Sequence, residues 1–422
     1  LLKRIDWVTV LLYLALLLIG WIGIYSSTFS ETDPSLFNFN TYYGKQGFFI
    51  TASLIATIFV FAIDASVYEQ FSSIFYVICL ILLIGLFPFG KTIAGATSWY
   101  NLGFFNLQPS EFTKVAVALA TAKYVSDIQT DIKKRKDQLY AILILIVPVI
   151  LVLLQPDAGS AIVFLALSFV LFREGFPLYY LVIALLFALI FITTLIFGTI
   201  WVSIGLAIII ALVYLIKKSG QKIPILPVVG IFIVSILFSL SVKLVYNHVF
   251  KQHHRDRFSL WLRLEKDPEK LAQIKKDIGY NTYQSEKAIE SGGFFGKGFL
   301  QGTRTKGDFV PAQHSDYIFT TIGEEWGFMG TAAVILIFTF MLLRLVTLAE
   351  RQKNTFSRAY GYGVISIIFV HYLINIGMVM GILPTIGIPL PYMSYGGSGL
   401  LGFTILLFIF LKLDANRLKE WD

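Results

Sequence analysis

Apolar residues run along this chain in continuous stretches, without the alternation that marks a half-buried strand. A stretch of about 20 apolar residues matches the hydrocarbon thickness of a bilayer. Twelve stretches predict helices near 7–26, 48–65, 71–89, 111–124, 139–154, 158–172, 177–196, 199–216, 224–246, 327–346, 360–380 and 398–413. A transmembrane β-barrel would need apolar and polar positions to alternate, and here they do not. The expected fold is an all-α polytopic membrane protein with about 12 transmembrane helices, one membrane domain over 1–422, and a large polar loop at about 247–326.

Cations give the orientation. Lys123, Lys133, Lys134, Arg135 and Lys136 crowd one connection, Lys217, Lys218 and Lys222 a second, and Arg344, Arg351, Lys353 and Arg358 a third. Lys412, Arg417 and Lys419 mark the tail. Counted from Lys3 and Arg4, these all fall on one side, which the positive-inside rule makes cytoplasmic. The alternate connections at 27–47, 90–110, 197–198 and 381–397 hold only Lys45 and Lys91. Both termini are therefore expected to be cytoplasmic and the loop 247–326 extracytoplasmic.

Composition narrows the class. Of 422 residues, 56% are hydrophobic and 14% charged, against about 25% charged in a soluble domain. That excludes a soluble enzyme, a nucleic-acid binder and a disordered scaffold. The net charge of +8 suits cytoplasmic loops facing anionic lipid, so no nucleic acid is expected as partner. Cys79 stands alone in an apolar run, with no disulfide framework or cysteine metal site. The run Trp7–Tyr25 is expected to stay in the bilayer as the first helix rather than to be cleaved.

The expected external side holds the unusual chemistry. Gly95-Ala96-Thr97-Ser98-Trp99 leads to Gln108-Pro109-Ser110-Glu111 and then Lys114. Pro-Ser-Glu opens a helix, with Glu111 in the positive first turn, and Glu111 and Lys114 share a face at i, i+3. A local ion pair explains them. So does function, because a lysine at membrane depth is costly. The long loop carries Arg255 and Arg257, then Asp267-Pro268, Gly279-Tyr280, Gln284-Ser285, Gly292-Gly293, Gly296-Lys297-Gly298, His314-Ser315-Asp316 and Gly323-Glu324-Glu325. Glycines at this density allow close backbone approach to a ligand, or form an ordered lid. His314 and Asp316 read as a hydrogen-bonded pair, since the five His show no ligand cluster. From Asn375 to Ser398, three prolines and repeated glycines exclude a straight helix. They predict a re-entrant or broken segment beside a groove, buried as such backbone must be.

Taken together and in order, these motifs, with Gln155-Pro156-Asp157-x-Gly159 and Ser394-Tyr395-Gly396-Gly397-Ser398, resemble the SEDS family (shape, elongation, division and sporulation) over nearly the whole chain. The stretches Phe309-Val310-Pro311 and Lys297–Thr303 look closer to its elongation member than to its division member. The resemblance implies ten core helices, so the three runs between 177 and 246 amount to two extra. It also implies a peptidoglycan glycosyltransferase that polymerises lipid II and releases undecaprenyl pyrophosphate, in a bacterial cytoplasmic membrane. A class B penicillin-binding protein (a transpeptidase) and the elongation complex are the implied partners. A lipid II flippase and a non-catalytic scaffold are the alternatives.

The resemblance implies an essential Asp as catalytic base, and counting from Arg255-x-Arg257 places it on Asp267. Asp277, nearer to Gly279-Tyr280, is its rival, and an Asp before Pro268 is also an ordinary helix cap. Candidates for substrate binding are Trp99, Glu111, Lys114, Arg255, Arg257, Gln284, Ser285, Lys297, His314, Asp316, Glu324, Ser394, Gly396, Gly397 and Ser398. Trp99 is a sugar platform or an interfacial anchor. No cofactor is required; a divalent cation, Mg or Mn, stays open, with no metal ligand set assigned.

Overall fold

A computed structural model describes residues 4–29, 38–93, 95–103, 105–216, 225–248, 250, 252–276, 279–307 and 309–417. Lys3, Ala94, Lys217, Lys218, Lys222, Asp277 and Lys419 lie outside these described residues. The chain divides into two compact units, Leu1–Phe176 with Asn281–Asp422, and Pro177–Tyr280.

The larger unit begins with α1 (Trp7–Thr28), α2 (Tyr42–Ala62), α3 (Ala65–Gln70) and α4 (Ser72–Phe89). An antiparallel sheet follows, β1 (Lys91–Ile93), β2 (Ala96–Asn101) and β3 (Asn106–Leu107), so the chain is not purely helical. These strands run two to six residues, too short to show a period. Then come α5 (Pro109–Ser126), α6 (Arg135–Leu153), α7 (Ala158–Ala166) and α8 (Ser168–Arg173). The smaller unit holds α9 (Tyr179–Phe197), α10 (Thr199–Ile216), α11 (Ile225–His248), α12 (Gln252–Trp261) and α13 (Pro268–Lys276). After α14 (Tyr280–Gly292), the larger unit resumes with α15 (Thr303–Lys306), α16 (Ile318–Glu350), α17 (Thr355–Val379) and α18 (Gly397–Asn416).

All twelve apolar runs are helical. Among the described residues, ten helices are long and apolar enough to cross a membrane. The other two runs are α5 and the short pair α7–α8. Helix α5 carries Glu111, Lys114 and Lys123, yet nearly every residue from Pro109 to Ala122 is buried. A helix wrapped by other helices has no lipid to face and needs no apolar surface.

Ion pairs gather one end of the larger unit. Asp6 caps α1 and pairs with Arg344 at 2.5 Å. Arg351 pairs with Asp414, Arg358 with Glu174 at 2.7 Å, and Arg173 with Glu350 at 2.9 Å. The start of α1 and the ends of α8, α16 and α18 thus share this end. The motif-bearing segments of the larger unit collect at the other.

At that other end α16 breaks. Gly327 has φ +64° and ψ −156°, which interrupts the helical ladder, and in a bilayer every freed backbone group needs a partner. The loop 293–298 supplies four. The Phe328 and Met329 amides donate to the Gly293 and Phe294 carbonyls at 2.9 and 3.2 Å. The Lys297 and Gly298 amides donate to the Glu324 and Glu325 carbonyls at 3.0 and 2.9 Å. So the glycines of this motif approach a helix backbone, where the sequence pattern suggested a ligand. A Cβ on Gly296 would lie 2.1 Å from the Glu325 carbonyl oxygen, whereas one on Gly293 meets nothing within 4 Å.

Both glycines have positive φ, so alanine costs roughly 1–2 kcal/mol at either from backbone strain. Gly296→Ala should lose about 1–3 kcal/mol more, because it overpacks the junction. Thermal unfolding in detergent checks this: equal losses at the two positions would contradict the stitched kink.

Candidate active site

The buried charges of the larger unit meet at Lys114. Its ammonium lies 2.8 Å from Glu111 Oε1 and 3.0 Å from His371 Nε2, and 4.6 Å from the centre of the Phe403 ring. His371 Nδ1 is 3.0 Å from the Pro389 carbonyl. A carbonyl only accepts, so Nδ1 carries the proton and Nε2 receives the ammonium. The result is a strut of charge and hydrogen bonds joining α5, α17 and the irregular segment before α18. Lys114 and Glu111 are 2% and 4% exposed, and neither reaches the surface. Glu111 Oε2 has no hydrogen-bond partner among the described residues.

The segment from Gly381 to Gly396 is irregular and its centre is buried, as its prolines and glycines predicted. Side chains satisfy its backbone. Asn375 Nδ2 donates to the Ile388 and Asp316 carbonyls, both at 2.7 Å. Ser394 Oγ accepts from the Leu390 amide and donates to the Ser315 carbonyl. The Gly396 amide donates to Gln46 Oε1 at 3.2 Å. Ser398 Oγ accepts from the Gln108 amide and donates to the Asn106 carbonyl, both at 3.1 Å. Gly397 packs against the Phe49 ring. His314 stacks on Tyr42 with ring centres 4.0 Å apart.

Asp157 and Asp316 flank this segment. Asp157 caps α7 and accepts from Ser160 and Gln108. The half-buried Asp316 carboxylate has no hydrogen bond from a described residue, and its Oδ2 would be 3.4 Å from a Cβ on Gly387. Desolvation, with the Asp157 charge adding to it, pushes the Asp316 carboxyl up to about 6.

Glu324 is the hub of the loop 293–306. Its carboxylate accepts from Lys297 Nζ at 2.6 Å, from the amides of Thr303, Arg304 and Thr305, and from two threonine hydroxyls. Gln284 accepts from Arg304. Ser285 bonds Thr320 at 2.5 Å and the Val379 carbonyl at 3.1 Å. Trp99 sits half-buried in β2.

In the smaller unit, Arg255 and Arg257 lie on α12 and form no ion pair with a described residue. The Nε of each is buried without a partner. Asp267 is exposed and caps α13, its Oδ1 accepting from the Glu269 amide at 3.0 Å. Its rival Asp277 lies outside the described residues. Among the described residues, no group of three or more His, Cys, Asp or Glu is placed to hold a metal. The sequence reading passed over His371, whose signal was an ionisable residue inside an apolar run.

Residues 6–204 and 201–419 match the family described as Cell cycle protein, FtsW/RodA/SpoVE. The chain belongs to this family. Curated relatives include peptidoglycan glycosyltransferase MrdB of Escherichia coli K12, 32% identical over 85% of this chain and 83% of that one. Another is peptidoglycan glycosyltransferase RodA of Treponema pallidum, 30% identical over 98% of each chain. The FtsW/RodA/SpoVE fold also appears in a chain of a solved peptidoglycan synthase complex, with TM-score 0.71, 23% identity and 98% coverage of both. Crystalline RodA of Thermus thermophilus has TM-score 0.62 at 21% identity, covering 98% of this chain and 97% of that one.

Two outcomes follow from the buried groups. Lys114→Met leaves the Glu111 carboxylate buried and unpaired, so it should cost about 3–5 kcal/mol. The Glu111→Gln/Lys114→Met double variant should recover most of this; thermal unfolding that is alike for both would contradict the strut. At Asp316, the fold disfavours the ionised form. Its penalty is absent below the ordinary value of 3.8 and complete above about 6, so stability falls as pH rises through that window. Asp316→Asn should therefore raise the melting temperature at pH 7.5 and change it little at pH 4.

Proposed function

We propose that this chain is a peptidoglycan glycosyltransferase that polymerises lipid II and releases undecaprenyl pyrophosphate during cell elongation. The observation that carries the reading is the 30% identity with a peptidoglycan glycosyltransferase named RodA across 98% of both chains. Elongation is favoured because MrdB and RodA stand at 32% and 30%, against 27 to 29% for the FtsW relatives. The chain crosses a bacterial cytoplasmic membrane about twelve times, with both termini inside and the catalytic loop 247–326 outside.

In the reaction, an acceptor sugar hydroxyl attacks the anomeric carbon of the growing glycan. The bond from that carbon to the pyrophosphate oxygen breaks, and the pyrophosphate leaves with the electron pair. Asp267 takes the hydroxyl proton, while Arg255 and Arg257 stabilise the leaving charge. The lack of an ion pair between either arginine and a described residue supports that role. A class B penicillin-binding protein fits as partner, since one structural neighbour comes from a peptidoglycan synthase complex that coordinates polymerization and crosslinking.

Purified protein with lipid II in detergent tests this reading. Glycan polymer made with no membrane to cross excludes pure flipping, and an inert protein, alone and with the transpeptidase, would favour a scaffold. Asp267→Asn retains the cap but cannot accept a proton, so polymerisation should fall roughly 10²–10⁴-fold with lipid II binding kept. Near-normal activity would move the base elsewhere.

A further inference from the structure

The loop stitched into the α16 kink carries an aromatic cluster that no described residue of the larger unit covers. Phe294, Phe295 and Phe328 are 54%, 81% and 59% exposed. The Phe294 ring lies 4.9 Å from Phe295 and 5.5 Å from Phe328, centre to centre. Below them a groove of about 480 Å³ is walled by Phe295, Phe299, Trp326, Met329 and Ala333, with Glu325 also lining it. Exposed Phe rings cost free energy in water, and a contiguous apolar patch marks an interaction surface.

Length identifies the occupant. From Phe328 to Glu350 the lower part of α16 has 23 residues, about 34 Å at 1.5 Å per residue. That spans a hydrocarbon core of about 30 Å. Its far end carries the charged Glu350 and Arg351, so the kink lies at the opposite membrane–water boundary. The four backbone bonds at Gly327 hold the loop at that height. The cluster also continues into the exposed face of α16 through Met329, Leu336, Phe340 and Leu343.

We infer that the loop 293–299 is a membrane wedge: Phe294, Phe295 and Phe328 insert into the lipid leaflet on this side, and an acyl chain occupies the groove. Aromatic side chains are favoured at that depth. The wedge goes beyond the proposed function and stands without it. One consequence does rest on that function: insertion sets Lys297, 24% exposed, at the level of lipid phosphates.

The test places an environment-sensitive fluorophore on Phe295→Cys in the full-length protein in phospholipid nanodiscs. Lys287→Cys, on α14, is the water reference, and Phe340→Cys the lipid reference; the native Cys79 is buried. Blue-shifted emission at 295, quenched by nitroxide lipids to an extent nearer 340 than 287, is expected. Quenching by aqueous iodide at the level of position 287 would overturn the wedge. Protection from both quenchers would also overturn it, because protein would then cover the patch. Phe295 is too exposed for labelling to disturb the fold, and Phe294→Cys repeats the measurement independently.

Discussion

Inside a bilayer no water is present to satisfy a backbone that leaves its helix, and this constraint organises the larger unit. Two of its departures from regular helix show this, one at Gly327 and one between Gly381 and Gly396. Each departure recruits its own partners. At Gly327 they are the amides and carbonyls of a second backbone, which approach closely because Gly296 and Gly327 lack side chains. Between Gly381 and Gly396 they are the side chains of Gln46, His371, Asn375 and Ser394. Motifs far apart in sequence therefore cluster because each completes the hydrogen bonding of another.

The buried lysine follows the same logic one step further. Lys114 is costly at this depth unless it is paired and hydrogen-bonded, and its neighbours come from three separate segments. Glu111 lies one turn before it, His371 comes from α17 and Phe403 from α18. Through His371 the charge reaches the Pro389 carbonyl. The irregular segment is thus tied to the core by an interaction that cannot loosen without exposing a charge to an apolar interior.

The membrane class and the helical runs were legible because hydropathy is a local property. Errors fell where helices turn polar or irregular. Helix α2 begins at Tyr42, ahead of the apolar run at 48, because Thr41 caps a turn containing Lys45 and Gln46. Helix α16 begins at Ile318, and its charged Glu324 and Glu325 disguised the first part as loop. The run predicted from 327 starts at the kink itself. Glu111 and Lys114 were legible as a pair from their spacing. His371 is 257 residues from Lys114, and no local pattern reports such a partner.

The motif residues also separate by whether neighbours already satisfy them. Glu324, Ser285, Ser394, Ser398 and Lys114 have their polar atoms engaged by the fold, so recruiting them to a substrate would first break native hydrogen bonds. Arg255 and Arg257 lack ion pairs among the described residues, and the Asp316 carboxylate accepts no hydrogen bond there. Groups left unsatisfied in a folded protein cost stability. A cost of that kind is offset when a ligand supplies the missing partner, and anionic phosphates suit the two arginines. By this criterion the fully bonded motifs build the frame, whereas a ligand at Arg255, Arg257 or Asp316 would displace fewer native bonds. Asp267 stands between the sets: its Oδ1 caps α13, and its Oδ2 accepts no hydrogen bond from a described residue.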